Sequence, residues 1–243
     1  MAVAYKSAGS GGGTESNGAT LTLACPATVD AGDILIAHVI YLDATSAPST
    51  PSGWTLLYGP ADLGVSTVVG RHWVFGKVAV GDEDGASIGF GTAGGTAGRY
   101  GRIYSFSGRE SGTITDLVPS ASFSDIPHNT DPQAPTVTTT IQGSLAVALV
   151  AQDDNNSIGS FTGESGGDWT EAVAEFVSTT LGAQGCMCQI QTATPTADPG
   201  TISGGTFNTA NDECGVIGFE IKPKVAQFAS ITPATESDLS GTI

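Results

Sequence analysis

Three stretches of this 243-residue chain recur, in the same order, a little over a hundred residues further on. "GDILIAHVIYLD" (32–43) returns as "GSLAVALVAQDD" (143–154), "KVAVGDEDG" (77–85) as "QTATPTADPG" (191–200), and "GRIYSFSG" (101–108) as "GVIGFEIK" (215–222). Between the first two blocks the pair Trp54-Thr55 returns as Trp169-Thr170, each time just behind a glycine. Self-similarity at a long period marks a duplicated structural unit, so the fold must be one that can be built twice from roughly 100 residues.

The repeated blocks read as strands. Charged residues are only 13% of the chain while Gly numbers 34, a balance suited to short strands and tight turns and poor in helix formers. Apolar or alternating runs at 20–25, 34–42, 54–58, 66–79, 86–90 and 100–107 make a first set, broken by "DAGD", "SAPSTPSG", "GDEDG" and "GTAGGTAG". A second set lies at 135–141, 145–151, 169–178, 186–193, 201–207 and 215–221. The expectation is an all-β chain of two tandem antiparallel β-sandwich repeats, jelly-roll or immunoglobulin-like, from an internal duplication, with extended N- and C-terminal arms. Its divisions are a flexible N-terminal segment at 1–18, a first repeat at 19–109, an extended bridge at 110–134 holding three prolines, a second repeat at 135–222, and a C-terminal arm at 223–243. Trp54 and Trp169 are the expected core anchors, since one indole fills much of the space between two sheets.

Charge is placed unevenly. The formal net charge is −16, and residues 110–221 hold 14 acidic residues without one Lys or Arg. Such a field repels phosphate backbones and anionic lipid, so neither nucleic acid nor a membrane is expected as partner. Arg99, Arg102 and Arg109 surround one strand of the first repeat and, with the apolar residues Val225, Phe228 and Ile231 of the arm, are the expected interface residues. Two readings of the basic group stand together: a patch that meets the acidic half of a neighbouring subunit, or neutralisation within one chain. The opening of the chain has no basic segment followed by an apolar stretch, and nowhere do 18 apolar residues run together, which predicts a soluble chain without a secretory signal.

Catalytic signatures are missing from the sequence. His38, His72 and His128 carry no HExxH or His-x-His spacing, and no serine lies in Gly-x-Ser-x-Gly. His38, inside an apolar strand, reads as a core or edge residue. The acids of "GDEDG" and "DDNN" do not match an EF-hand loop, and Asp82, Asp84, Asp153 and Asp154 are weak calcium candidates beside the plainer reading of solvated turns. Cys186 and Cys188 share one strand face, and with Cys214 they could hold a metal or a disulfide, although buried reduced thiols suit their number better. No catalytic residue and no cofactor is expected, with loop calcium left open.

The succession "VDAGDILIAHVIY", "PSGWTLL", "WVFGKVAVGDEDG" and "GRIYSFSG", followed by a weaker second round, resembles the Gly/Thr-rich β-sandwich proteins encoded among the virion structural genes of tailed bacteriophages. The resemblance covers about residues 18–222. It implies a non-enzymatic virion protein: a capsid decoration (cement) protein or a tail or fibre component, assembled in the host cytoplasm and exposed on the particle exterior. Its partners would be the major capsid protein and further copies of itself, with a trimer favoured. The alternative is a carbohydrate-binding or host-receptor-binding module of a tail or fibre, with Trp54, Trp73, Tyr100 and Tyr104 as a stacking platform.

Overall fold

Strands buried on both faces lose the simple in/out alternation and read as continuous apolar runs, and "ILIAHVIYL" and "LAVALVAQ" are the two longest such runs here. Each becomes the central strand of a large sheet. The computed structural model describes residues 2–14, 19–42, 46–64, 70–91, 98–107, 112–120, 123–128, 133–152, 161–178, 186–206 and 213–223. In chain order the strands are β1 (Ala4–Ala8), β2 (Gly12–Thr14), β3 (Leu21–Ala24), β4 (Ile34–Leu42), β5 (Thr55–Leu63), β6 (Gly70–Val78), β7 (Ser87–Phe90), β8 (Arg99–Ser107), β9 (Ser124–His128), β10 (Val137–Thr138), β11 (Leu145–Gln152), β12 (Thr170–Ser178), β13 (Cys186–Ala193), β14 (Thr201–Ile202) and β15 (Cys214–Ile221). One helical turn, α1 (Ile114–Leu117), is capped by the Thr113 side chain.

All pairings between these strands are antiparallel. The first large sheet runs β1-β8-β4-β6-β5, with β2 also on β8, and the second runs β12-β13-β11-β15-β9. Each is accompanied by a two-stranded sheet, β3-β7 and β10-β14 respectively. Strand for strand, β8-β4-β6-β5 has the connectivity of β15-β11-β13-β12. The register breaks coincide as well: β5 slips between Leu56/Tyr58 and Tyr58/Ala61, and β12 between Glu171/Val173 and Val173/Phe176, every one of these residues 115 positions from its counterpart. Ile36 pairs with Tyr104, and Val147, which follows Ile36 by 111, pairs with Phe219. Tyr104 therefore matches Phe219 at 115, which corrects by one residue the alignment of "GRIYSFSG" with "GVIGFEIK".

The packing has three apolar layers. Ile34, Ile36, Val74, Tyr104 and Phe106 of the first large sheet meet Leu145, Val147, Leu149, Ile190, Ile217 and Phe219 of the second in one shared cluster, so the large sheets lie back to back. The opposite face of the first sheet packs Leu35, Ala37, Val39, Trp73 and Phe75 against Leu21, Leu23 and Phe90 of β3-β7, with Trp54 among them. The opposite face of the second packs Ala146, Ala148 and Val150 against Val137 and Ile202 of β10-β14, with Trp169. Full burial of one such large side chain contributes roughly 1.5–3 kcal/mol. Trp54 meets Phe90 edge-on at 5.9 Å between ring centroids, and Trp169 meets Phe161 at 6.0 Å.

Two expectations need correction. The segment 1–18 is not loose where it is described: β1 and β2 extend the first large sheet along β8. Gly9 makes this possible, because a Cβ there would collide with the carbonyl oxygen of Ala24. The bridge 110–134 is not merely extended, since it carries α1 and then β9, which adds an edge strand to β15. In both cases a polar, glycine- or proline-marked segment with little apolar periodicity gains its order from the exposed edge of a neighbouring strand. The arm beyond Pro223 lies outside the described residues.

Candidate functional site

A cleft of about 350 Å³ opens in the second half, between the start of β9 and the Thr136–Thr140 run that contains β10. Thr136, Thr138 and Thr140 line one wall, all exposed because alternate strand residues share a face. Phe123 and Ser124 line the other, and Glu220 and Lys222 of the β15 end complete it. Glu220 has no exposed side-chain surface. Its carboxylate accepts from the Thr140 backbone N–H at 2.6 Å and from Thr140 Oγ1 at 3.0 and 3.2 Å, with the Lys222 ammonium 3.8 Å away. Phe123 is stacked between Tyr58 and Phe219, both at 4.8 Å, so neither ring face is open to a ligand. Chemically this is a hydroxyl-lined cleft over a satisfied carboxylate, with an ammonium beside it.

A second polar group lies between the two large sheets. His38 on β4 and His72 on β6 are diagonal neighbours across the strand pair, both fully buried, with His38 Nε2 and His72 Nδ1 3.0 Å apart. Among the described residues the remaining nitrogens, His38 Nδ1 and His72 Nε2, have no hydrogen-bond partner. Burial holds both imidazoles below the usual histidine range, His72 at about 3 and His38 well below 6.5, where the neighbouring His72 adds to the effect. Nearby, Tyr100 Oη donates to the Gln152 carbonyl at 2.5 Å. Burial also raises Cys188 to about 12, so its thiol stays protonated.

The expected interface arginines are occupied within the chain. Arg99 is buried, donates to the Ala19 carbonyl and lies over the Tyr41 ring, 5.3 Å from its centroid. Arg102 Nε donates to the Gly9 carbonyl at 2.7 Å. Lys6 bridges Asp30 and Asp33, Arg71 meets Asp62, and Lys77 meets Glu83. Each described cation of the first half thus has a partner in that half, carboxylates for Lys6, Arg71 and Lys77 and backbone carbonyls for Arg99 and Arg102, and its burial withdraws Arg99 from a free basic patch. Arg109, Val225, Phe228 and Ile231 lie outside the described residues.

The proposed aromatic platform is likewise overturned. Trp54 is 7% exposed, and Trp73, Tyr100 and Tyr104 are completely buried, because each sits on a strand face that packs against another sheet. In the "GDEDG" turn, Glu83 accepts from the backbone N–H groups of Val80, Gly81 and Asp82, and Asp84 accepts from Val29 N–H at 2.5 Å. Burial pushes the Glu83 carboxyl up, but the bond from Lys77 and the Val80 and Gly81 N–H groups outweigh it and hold the group low. Asp82 is exposed. Asp153 and Asp154 lie outside the described residues. Among the described residues no three His, Cys, Asp or Glu side chains come together as a metal ion would require. Cys25, Cys188 and Cys214 are buried and not joined in a disulfide with one another, while nothing is described for the Cys186 side chain.

Neither the cleft nor the histidine pair stood out in the sequence, yet each left a signal there. Glu220 is a lone acid inside the apolar run "GVIGFEI", and "TVTTT" (136–140) alternates hydroxyls along one face. The histidines needed strand register, which sets Ile40 opposite His72 and His38 opposite Val74. Compared with protein-family models, curated proteins and solved structures, the chain matches none of them.

Proposed function

We propose that the chain is a non-enzymatic bacteriophage virion structural protein, a capsid decoration (cement) protein that binds the outer capsid surface and joins further copies of itself, and that its two halves arose by internal duplication. The duplication is supported by the matched strand order and by register slips 115 residues apart in β5 and β12, a coincidence that packing alone does not require. The observation that carries the functional reading is the pairing of Lys6, Arg71 and Lys77 with acids of their own half, beside a second half whose residues 110–221 hold 14 acidic residues and no Lys or Arg. A back-to-back double sandwich with an anionic surface suits a rigid element laid on a basic protein surface, and it is repelled by packaged nucleic acid.

The test is the solution mass by light scattering, with and without residues 223–243 and with and without calcium. A closed oligomer, the trimer foremost, that falls to monomer on truncation is expected. A stable monomer indifferent to both would overturn the decoration reading. It would favour instead a host-receptor-binding module with a small hydroxylated ligand in the Ser124–Thr138–Glu220 cleft, since the aromatic rings are not available for stacking.

A further inference from the structure

We propose that the His38–His72 pair is an acid-sensitive latch between the two large sheets, holding them together at neutral pH and releasing them as either ring gains a proton. The geometry follows from alternation along the strands. Ile34 and Ile36 of β4 point into the core shared by the sheets, and His38 continues the same row. On β6, Val74 belongs to that shared core and His72 stands two residues before it. Gly215 of β15 closes over the pair from the other sheet, and a Cβ added there would lie 2.9 Å from His72 Nε2. The rings therefore sit where the sheets are pressed together, with no room for a counter-ion.

The proton count makes the pair a switch. When neutral, the two rings carry two protons, one of them shared across the 3.0 Å contact. If His38 Nε2 donates, the open acceptor is His38 Nδ1; if His72 Nδ1 donates, it is His72 Nε2. Either way a third proton must land on a buried nitrogen that has no hydrogen-bond partner among the described residues. A buried cation without hydrogen-bond or charge compensation is among the costliest states in a protein interior.

The surrounding groups offer no relief. On β8, Arg102 is the cross-strand neighbour of His38 and is itself cationic, and Tyr100 and Tyr104 on the same face are phenols. On β13 the inward group is the Cys188 thiol, which is protonated throughout. The carboxylate of Asp62 on β5 is held by Arg71 at 2.9 Å, β15 brings the backbone of Gly215 against His72, and the acid of that end, Glu213, stands two residues before it, ahead of the strand.

Both rings titrate lower in the folded chain than the ordinary value of about 6.5. The stability they confer is therefore complete above about pH 6.5 and is lost as the pH falls toward the folded values, about 3 for His72. Between about pH 6 and 5 carboxylates of ordinary pKa remain mostly ionised, so this window isolates the histidines.

The experiment follows the opening of the full chain by backbone hydrogen exchange in β11 and β15 as a function of pH, alongside the ring-proton resonances of its histidines. In the native chain the opening constant should rise by up to about a hundredfold per pH unit below 6, two protons being taken up. His72→Gln should reduce this to about tenfold, and the double variant His38→Leu/His72→Leu should abolish it. Neither ring should titrate between about pH 7 and 5 while the fold is intact. A buried histidine that titrates near 6.5 with the sheets still protected overturns the proposal without any variant. An unchanged slope in His72→Gln, or in the double variant if it folds, overturns it as well.

Discussion

The two halves of this molecule share a strand order and differ in how they close. In the first half the segment before the repeat runs along β8 as β1 and β2, and Gly9 lets the backbone press against Ala24 of β3. In the second half the segment before β9 stands away from Thr136–Thr140, and the cleft opens between them. The pairing that matches Tyr104 with Phe219 also matches Ser105 with Glu220. Ser105 bonds Ser7 of β1 at 2.9 Å, while Glu220 turns to Thr140 and Lys222. One scaffold thus supports a sealed half and an acidic half with a cleft. The sheet pairings set the frame, and the segments at their edges decide what is exposed.

The largest test of that shared frame is the removal of its anchors. Trp54→Ala and Trp169→Ala should each cost about 3–5 kcal/mol, measured by urea denaturation, with one transition in both cases because the large sheets share a core. Two separated transitions would break the comparison and make the halves independent units. A smaller contrast concerns two matched turn carboxylates, Glu83 and Asp198, 115 positions apart. Glu83 is nearly buried, holds three backbone N–H groups and pairs with Lys77 at 2.7 Å; Asp198 is half-buried and holds the Gly143 N–H. Glu83→Gln should cost about 1–3 kcal/mol, and Asp198→Asn about 1 or less.

The pH dependence of this contrast has a definite sign. Because the folded Glu83 carboxyl is held low, its stabilisation is present above the ordinary carboxylate range and is lost as acid protonates it. The native chain should lose this part below about pH 4.5 while Glu83→Gln lacks it throughout, as thermal melts across that range would reveal. The smallest contrast is at the edges. Gly9→Ala should cost about 1–3 kcal/mol through collision with the Ala24 carbonyl, whereas Ser124→Ala, at the edge of the cleft, should change stability by less than about 0.5 kcal/mol. Equal costs in a denaturation series would mean that the second half is sealed as tightly as the first.

Much of this architecture was legible in the chain itself. The runs at 34–42, 100–107 and 215–221 are strands within a residue of where their apolar character places them, because a strand buried on both faces is mostly apolar. Repetition supplied the pairing of halves, and the indoles stood out as core residues by size alone. Charge and aromatic content were less informative about sites. A sequence counts Arg99, Arg102, Tyr100 and Trp73 without saying which sheet will cover them, and all four are engaged or buried by segments far away along the chain.

What the sequence determined by itself was most of the strands from β3 onward and the likeness of the two halves, since both follow from short-range patterns of polarity and from self-similarity, while β1, β2 and β9 left no such pattern. Tertiary structure alone decided that the large sheets lie back to back, that residues 4–14 seal one edge while a cleft opens at the other, and that His38 meets His72. Those outcomes depend on register and on the approach of distant edges. A one-residue slip in strand pairing turns every side chain to the opposite face, and no local pattern near His38 or Glu220 records which face the partner will occupy.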